Sequence, residues 1–258
     1  MSAGATAAAP VMSDGSVDAE GRFAMEGVFT AGVLEGLADR RGYAASRSLG
    51  RDRSRRQGLS RPARVVKRTF DLLGASLLLI FGAPLLLLIA AAIRLEGPGP
   101  VFFRQIRVGR DGRPFRIVKF RTMVVGADAL KESLRELNEA TGLFKIAADP
   151  RITRVGGLVR RTCMDELPQL FNVLKGEMSL VGPRPLIPEE DCKIVGRQRV
   201  RLQTAPGMTG HWQVLGAARI PLEEMVAIDC RYIANWTIWS DVGTLARTIP
   251  CVLARRGI

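Results

Sequence analysis

The stretch RRTCMDELPQLFNVLKG, residues 160–176, decides how the rest of the chain is interpreted. From Asp165 onward, apolar residues recur at the i, i+3, i+4, i+7 spacing of a helix with one buried face. They are Leu167, Leu170, Phe171 and Leu174. Asp165 suits the N-cap, Pro168 is tolerated in a first turn, and Gly176 is typical of the position after a helix end. The stretch therefore predicts a short helix with two adjacent carboxylates, Asp165 and Glu166, at its start.

These two carboxylates have two interpretations. In the simpler one, Asp165 caps the helix and Glu166 complements the helix dipole. In the other, Asp165 is a nucleophile and Glu166 a metal ligand, placed where helix N–H groups and the preceding arginines hold a phosphate. The spacing alone does not separate the two, so the rest of the chain decides between them.

The charge balance predicts an anionic partner. The 258 residues carry a formal net charge of +13, as expected of a protein that binds nucleic acid, anionic lipid or a phosphorylated substrate. A single histidine, His211, argues against a His-based metal site. The four cysteines are too widely spread for a zinc site or a disulfide framework, which fits a reducing compartment. We expect no cleavable signal peptide, because a basic start followed by an apolar run is missing.

Residues 1–62 are predicted to form a disordered basic tail, since they are rich in Ala, Gly and Ser and end in an arginine-rich run. The arginines could contact RNA, but no aromatic residues are interleaved to stack on bases. Because an apolar segment follows at once, anionic membrane lipids are the favoured partner and nucleic acid is not expected.

Residues 72–93 form an uncharged apolar run of the length that spans a bilayer. A transmembrane helix is the default interpretation, but two features oppose it. Ala83 and Pro84 lie near the centre, where proline removes a backbone donor and bends a helix. Both flanks are also basic, which favours the cytoplasm for both ends. We therefore favour a membrane-embedded, re-entrant helix-break-helix over residues 63–95.

The remainder, residues 96–258, is predicted to be a compact cytoplasmic catalytic domain of helices with a small β-hairpin or sheet, giving an α+β fold. Residues 101–105 and 115–121 are typical of short strands, with a hairpin connection at 109–112. Their basic side chains suit either a phosphate-binding surface or an ordinary solvated face. Helices are predicted over 128–141 and 222–234, and residues 235–249 suit a core helix or an amphipathic helix at a membrane interface.

A proline-flanked arginine follows the central stretch. In the sequence GPRP, Pro183 and Pro185 fix the backbone on both sides of Arg184. Arginine gives a planar, bidentate grip on phosphate oxygens. An arginine in a proline-rich turn is also common, so Arg184 gains weight only from the nearby Asp165-Glu166 pair.

Five short motifs in this order resemble those of the bacterial sugar transferases, monotopic polyprenyl-phosphate phosphoglycosyl transferases. The motifs are KRTFD (67–71), KFRTM (119–123), DELPQ (165–169), GPRP (182–185) and PGMTG (206–210). The resemblance covers about three-quarters of the chain. It implies transfer of a sugar-1-phosphate, with glucose and galactose as natural guesses, from a UDP-sugar to undecaprenyl phosphate. UMP would be released and assembly of an exopolysaccharide or O-antigen-type glycan initiated, on the cytoplasmic face of the bacterial inner membrane.

The resemblance also assigns roles to residues. It implies that Asp165 attacks the sugar-bearing phosphate to form a covalent intermediate, and that Glu166 helps to hold Mg²⁺. It places Arg160 and Arg184 around the phosphates, and Lys119 and Arg121 in a basic element that makes substrate-phosphate or structural contacts. Lys67 and Arg68 are expected at lipid headgroups, and Ala83-Pro84 at the re-entrant break.

Two positions depart from the family pattern. Ala217 stands where an arginine is usual, with Arg219 two residues on as a substitute, and Cys163 stands where serine is usual and is expected to be an inert thiol. The alternative function is a catalytically weak or inactive membrane scaffold for glycan-assembly proteins. Ala217 favours that alternative, whereas the intact Asp165-Glu166 pair opposes it. The sequence leaves open a homo-oligomer and contacts with downstream glycosyltransferases.

Overall fold

A long apolar helix opens the part of the chain that the computed structural model describes, which is residues 59–131, 133–137, 146, 149–214 and 221–253. The predicted tail up to residue 58 and the positions Ala217 and Arg219 lie outside these residues. Helix α1 spans Arg61–Glu96, and the side chain of Ser60 accepts a hydrogen bond from the Ala63 N–H at its start. The helix continues through Ala83 and Pro84. The predicted interruption is therefore not seen, and the re-entrant path stays a prediction.

A two-stranded antiparallel hairpin follows, as the sequence predicts. Strand β1 spans Phe102–Val108 and β2 spans Pro114–Phe120, with Phe103 opposite Lys119 and Arg107 opposite Phe115. The turn between them is the 3₁₀ segment Arg110–Gly112, in which Asp111 has a φ of 57°. Strand β1 is longer than predicted because the pairing extends to the turn, whereas β2 has the predicted length and begins one residue earlier.

The remaining elements are mostly short helices. They are α2 (Arg154–Arg161), α3 (Gln169–Lys175), α4 (Pro188–Asp191), α5 (His211–Val214), α6 (Leu222–Ala234) and α7 (Ile238–Leu253), with 3₁₀ turns at Met164–Glu166 and Gly196–Gln203. Strands β3 (Ser179–Val181) and β4 (Gly207–Thr209) pair in parallel. A Cβ on Gly207 would come within 2.1 Å of the Gly182 backbone nitrogen, so the close approach of the two segments requires glycine there.

The helix predicted over 128–141 is wrong for the described part of that range. Two 3₁₀ turns, Ala129–Lys131 and Arg135–Leu137, stand in its place, and residues 138–145 lie outside the described part of the chain. Leu130, which a helix in this range would have to bury, is 45% exposed. Helix propensity without a buried face seldom holds a short helix together.

The core lies between α1, the hairpin, α3 and β3. Ala75 of α1 packs with residues of the main cluster, among them Ile117, Leu170, Val173 and Leu180. Nearer the end of α1, Ile89 and Ile93 pack against Phe120 and Val159. The opposite side of α1 exposes large apolar side chains, including Leu73, Leu77, Ile80, Phe81, Leu87 and Leu88. By length and composition, α1 is able to cross a membrane, and no other helix of the described residues is.

The first turns of α1 are tied to the core by charged groups. The Lys67 ammonium is buried, 2.6 Å from Asp241 Oδ2 and 2.9 Å from the Val181 carbonyl oxygen, to which it donates. Arg68 donates to the carbonyl oxygens of Val173 and Leu174 at the end of α3, where the helix dipole favours a cation. The expectation that Lys67 and Arg68 contact lipid headgroups is therefore corrected. Their charges are used inside the protein, because carbonyl and carboxylate partners from distant parts of the chain reach them.

Candidate active site

The Asp165-Glu166 pair lies on a turn between α2 and α3. Cys163 has a φ of 56°, the 3₁₀ turn Met164–Glu166 follows it, and α3 begins only at Gln169. The prediction that Asp165 is the N-cap is wrong, since Pro168 occupies that position. Gly176 ends the helix with a φ of 80°, as predicted. Both carboxylates are thus presented from a turn, without a role in capping α3.

The buried face of α3 differs from the predicted one. Leu170 and Val173 are buried, but Phe171 is 46% exposed and the polar Asn172 is almost fully buried. The Asn172 side chain accepts a hydrogen bond from the Val118 N–H at 3.1 Å and donates to the Arg116 carbonyl oxygen at 2.8 Å. The amide therefore pairs with the open edge of β2, and this pairing turns Asn172 inward in place of Phe171.

Lys119 and Glu166 form an ion pair at the centre of the site. Lys119 Nζ lies 2.7 Å from Glu166 Oε1, with both side chains about three-quarters buried. Lys119 comes from β2 and Glu166 from the turn before α3, and Asn172 fastens these two elements to each other. Lys119 was expected to make substrate-phosphate or structural contacts; the structure shows the ion pair with Glu166, and the phosphate contact stays a prediction.

Burial raises the pKa of Asp165 from 3.8 to about 6. The positive charges of Lys119 and Arg160 act in the opposite direction, while the negative charge of Glu166 adds to the rise. A carboxyl group with a pKa near 6 is still mostly ionised at pH 7, at a ratio of about 10 to 1. Asp165 thus combines an available carboxylate with higher basicity than a solvated aspartate has, and both properties suit a nucleophile.

A cavity borders this turn and brings the predicted Arg184 next to Lys119 and Glu166. The residues that line it include Arg107, Lys119, Glu166, Arg184, Trp212 and Gln213. The Arg184 guanidinium lies 4.8 Å from the centroid of the Trp212 ring, a cation–π contact. Arg160 lies exposed at the end of α2, close enough to lower the pKa of Asp165. Of the six residues assigned to catalysis and substrate binding, three line this cavity: Lys119, Glu166 and Arg184. The other three, Asp165, Arg160 and Arg121, do not line it.

Arg121 binds backbone carbonyl groups just after the end of α1. Its guanidinium donates to the carbonyl oxygens of Pro98 at 2.7 Å and Gly97 at 3.1 Å. These carbonyls follow the last turn of α1, where no further helical N–H reaches them. Of the two contacts expected for Arg121, substrate phosphate or structural, the structure shows the structural one.

The loop of Arg184 is held from behind by a buried arginine. Arg201, 2% exposed, donates to the Arg184 carbonyl oxygen and pairs with Asp229 at 3.1 Å. Burial raises the pKa of Asp229 to about 6, although Arg201 opposes the rise. The flanking prolines and this network together fix the Arg184 backbone, and the Trp212 ring contacts its guanidinium.

Sequence reasoning missed Arg107, Trp212 and Gln213. In the sequence, Arg107 stands out only as one of several basic residues that follow the apolar run. The alternation of the hairpin was the available signal, since Arg107 lies opposite Phe115 and therefore on the same face as Ile117 and Lys119. Trp212 and Gln213 follow a short turn, and no local pattern connects them with residues 165–184.

The donor set fits a magnesium ion that is held partly by substrate. Mg²⁺ prefers oxygen ligands and usually keeps several waters, with one or two carboxylates and substrate phosphates as its other ligands. Within the described residues, no three His, Cys, Asp or Glu side chains cluster as a metal cage would need. Asp165 and Glu166 supply adjacent carboxylates, and Lys119 shares one oxygen of Glu166. The two carboxylates therefore fit a Mg²⁺ ion whose other ligands are waters and substrate phosphates.

Comparisons with known proteins converge on one family. The family model described as bacterial sugar transferase matches residues 62–255. A UDP-galactose-lipid carrier transferase of Erwinia amylovora is 44% identical over 200 residues, 76% of this chain and 42% of that protein. The exopolysaccharide production protein ExoY of Rhizobium meliloti is 39% identical over 75% of this chain and 88% of its own. A UDP-glucose:undecaprenyl-phosphate glucose-1-phosphate transferase of Caulobacter vibrioides is 43% identical, with 72% and 69% covered. The chain spans about two-fifths of the length of the Erwinia protein and of several further relatives.

Proposed function

Since this chain belongs to the bacterial sugar transferase family, we propose that it transfers a sugar-1-phosphate from a UDP-sugar to undecaprenyl phosphate. The relatives that are named for a reaction support the two substrates, because their names specify UDP-glucose, galactose and undecaprenyl phosphate. The ExoY relatives are named for exopolysaccharide production. Assembly of an exopolysaccharide or O-antigen-type glycan is accordingly the process that we assign to the product.

The observation that carries the proposed mechanism is the partly buried Asp165, with a pKa of about 6, beside the Lys119–Glu166 pair. An oxygen of Asp165 attacks the phosphorus that bears the sugar, and the bond from that phosphorus to the bridging oxygen breaks, so UMP leaves. An oxygen of undecaprenyl phosphate then attacks the same phosphorus. The Asp165–phosphorus bond breaks, the carboxylate is restored, and undecaprenyl-diphosphate-sugar is formed. A covalent intermediate lets one site serve a soluble donor and a lipid acceptor in turn.

Cationic side chains make this attack feasible. A carboxylate that approaches a diphosphate is repelled by its negative charge, so that charge has to be neutralised. Arg184 is fixed by its prolines and by Arg201, and it faces the cavity together with Lys119. Arg160, at the end of α2, is close enough to lower the pKa of Asp165. When bound, Mg²⁺ supplies further neutralisation of the phosphate oxygens, with Glu166 as the protein ligand that we propose for it.

We further propose that α1 enters one leaflet and returns, with the globular part on the cytoplasmic face of the inner membrane. Lys67 near the start of α1 and Ile93 near its end both contact the same globular unit. If α1 were straight, about 39 Å would separate these two residues, which is more than the hydrocarbon core of a bilayer. A perpendicular span would place the two contacts on opposite sides of the membrane. A re-entrant path through Ala83-Pro84 keeps both on one side.

Helix α7 supplies a second apolar surface for the same membrane face. Trp239 is 77% exposed, and Val242 and Ile249 are exposed on the same side of the helix. Of the two interpretations of residues 235–249, this exposure favours the interfacial one, because tryptophan is enriched at headgroup level. Asp241 of α7 pairs with Lys67 of α1, so the two helices are in direct contact.

The decisive experiment is UMP release by membrane-extracted protein with undecaprenyl phosphate, Mg²⁺ and a panel of UDP-sugars. Release with one sugar is expected, together with a mass increase of one sugar-phosphate on the protein when the acceptor is left out. Asp165→Asn should lose both signals, and UMP release that persists in this variant would remove Asp165 from the nucleophilic role. If no UDP-sugar of the panel supports UMP release, a non-UDP donor or the scaffold alternative is favoured. Ala217→Arg is then the variant to assay.

A further inference from the structure

The cavity beside Glu166 concentrates buried polar atoms that have no partner. Among the described residues, six buried side-chain nitrogen or oxygen atoms lack a hydrogen bond. Three of them belong to residues that line this one cavity: Arg107 Nε, Trp212 Nε1 and Gln213 Oε1. Native proteins pair nearly all of their buried polar atoms. A cluster of exceptions at one cavity therefore indicates a ligand with both acceptor and donor groups.

The charge of the cavity identifies the acceptor part of that ligand. Three cationic side chains, Arg107, Lys119 and Arg184, line it, against the single carboxylate of Glu166. Lys119 is already paired with Glu166, whereas Arg107 forms no ion pair with any carboxylate of the described residues. Burial lowers the pKa of Arg107, and the neighbouring positive charge of Arg184 lowers it further, in spite of attraction from Glu190, Glu166 and Glu189. Two guanidinium groups that repel each other at a cavity wall favour binding of an anion between them.

Two hydrogen bonds to the protein hold the Arg107 guanidinium in place, so it is oriented before a ligand binds. It donates to the Pro185 carbonyl oxygen at 3.1 Å and to Gln105 Oε1 at 2.6 Å. Because Pro185 directly follows Arg184, the first of these bonds ties the two arginines to one loop. Two of the five guanidinium N–H groups are thus used by protein, and the others remain for a ligand.

We propose that Arg107 and Gln213 bind the nucleotide half of the donor, an inference that rests on the proposed function and deepens it. Arg107, with Arg184, binds the phosphate that leaves as part of the nucleoside monophosphate. Gln213 Oε1 accepts a hydrogen bond from an N–H or O–H of the nucleoside. The sugar-bearing phosphate lies at the other group of charges, Lys119 and the Asp165-Glu166 turn.

Binding of UMP, the expected product, tests this assignment without any turnover. Isothermal titration calorimetry of the full-length protein in detergent is carried out with UMP, with inorganic phosphate and with uridine. Loss of a charge-assisted hydrogen bond in Arg107→Gln should weaken UMP and phosphate binding by about 10- to 100-fold. Gln213→Leu should weaken UMP and uridine binding by about 10-fold and leave phosphate binding unchanged.

Arg104→Gln is the matched control, because Arg104 lies exposed on the same strand and its loss removes the same charge. It should bind UMP as the wild type does. Arg107→Lys keeps the charge without the planar fork and should bind UMP with intermediate affinity, and it serves as the second variant if Arg107→Gln does not fold by circular dichroism. A folded Arg107 variant with wild-type UMP affinity, or an equal loss in Arg104→Gln, would overturn the inference.

Failure of this inference and failure of the proposed function give different results. Wild-type protein that releases UMP from a UDP-sugar but shows no Arg107-dependent UMP binding would refute the nucleotide site and leave the transfer reaction standing. Protein that binds UMP through Arg107 and Gln213, yet releases none from any UDP-sugar, would refute the transfer reaction and leave the nucleotide site standing.

Discussion

Replacement of Asp165 by asparagine is expected to stabilise the protein while it abolishes transfer. Burial raises the pKa of Asp165 from 3.8 to about 6, and the attraction of Lys119 and Arg160 is already included in that value. The folded state therefore holds a proton on this group more tightly than the unfolded state does. It follows that Asp165 lowers stability at neutral pH, and that stability recovers as the pH falls from about 6 towards 3.8.

The magnitude follows from the two pKa values. At pH 7 a difference between 3.8 and about 6 corresponds to about 3 kcal/mol of folding free energy. This is an upper limit, because the Asp165 side chain retains some contact with solvent. At pH 5 the same relation leaves about half of that value. Neutral asparagine of nearly the same shape removes the penalty at every pH.

Thermal unfolding in detergent, followed by tryptophan fluorescence between pH 5 and 8, measures this difference. For a chain of this size, about 3 kcal/mol corresponds to a rise in Tm of roughly 6–12 °C at pH 7, and the rise should shrink towards pH 5. Asp111→Asn is the matched control, since it removes a negative charge from an exposed position of the hairpin turn. An Asp165→Asn protein no more stable than wild type, or a gain in Tm that does not change with pH, would refute the reasoning.

Three further predictions address other parts of the molecule. Lys119→Met should lower kcat of UMP release by at least about 10-fold, because it leaves Glu166 unpaired beside the nucleophile, and unchanged kinetics would count against a role for the pair. Lys67→Met should destabilise the fold by about 3–5 kcal/mol, since it leaves the buried Asp241 without its counter-charge. Chemical denaturation checks this, and a loss below about 1 kcal/mol would contradict it. Trp239→Glu should reduce binding to anionic vesicles in a flotation assay without a change in circular dichroism, and vesicle binding equal to wild type would remove α7 from the membrane surface.

Features of the fold that depend on neighbours in the sequence were predictable. The hairpin, the stop at Gly176 and helix α6 agree with the patterns of turn residues and apolar spacing. Local pattern was sufficient in these cases because the decisive interactions lie within a few residues or within a motif. Lys119, Glu166 and Arg184 were singled out only because their three motifs resemble those of a single family; no local pattern predicts that they line one cavity.

What the sequence did not reveal depends on partners far along the chain. Lys67 was expected at lipid headgroups, but its counter-charge is Asp241, 174 residues away. The inward turn of Asn172 is set by the open edge of β2, and no apolar periodicity within α3 contains that information. Arg107 and Gln213 come from separate elements that meet only at the cavity. Pairings of this kind become visible only when the elements are packed together.

The buried Lys67–Asp241 pair also sets an order of events during synthesis. Lys67 leaves the ribosome before its partner, and at about 5–20 residues per second the 174 residues between them take roughly 9–35 s to translate. During that interval α1 can already bind the membrane, while the Lys67 ammonium is still hydrated or bound to lipid phosphate. Closure of the core around it waits for α7. Fragments released before Asp241 is made would keep a membrane-bound helix beneath a domain with an unmatched charge, and are expected to be substrates for quality-control proteases.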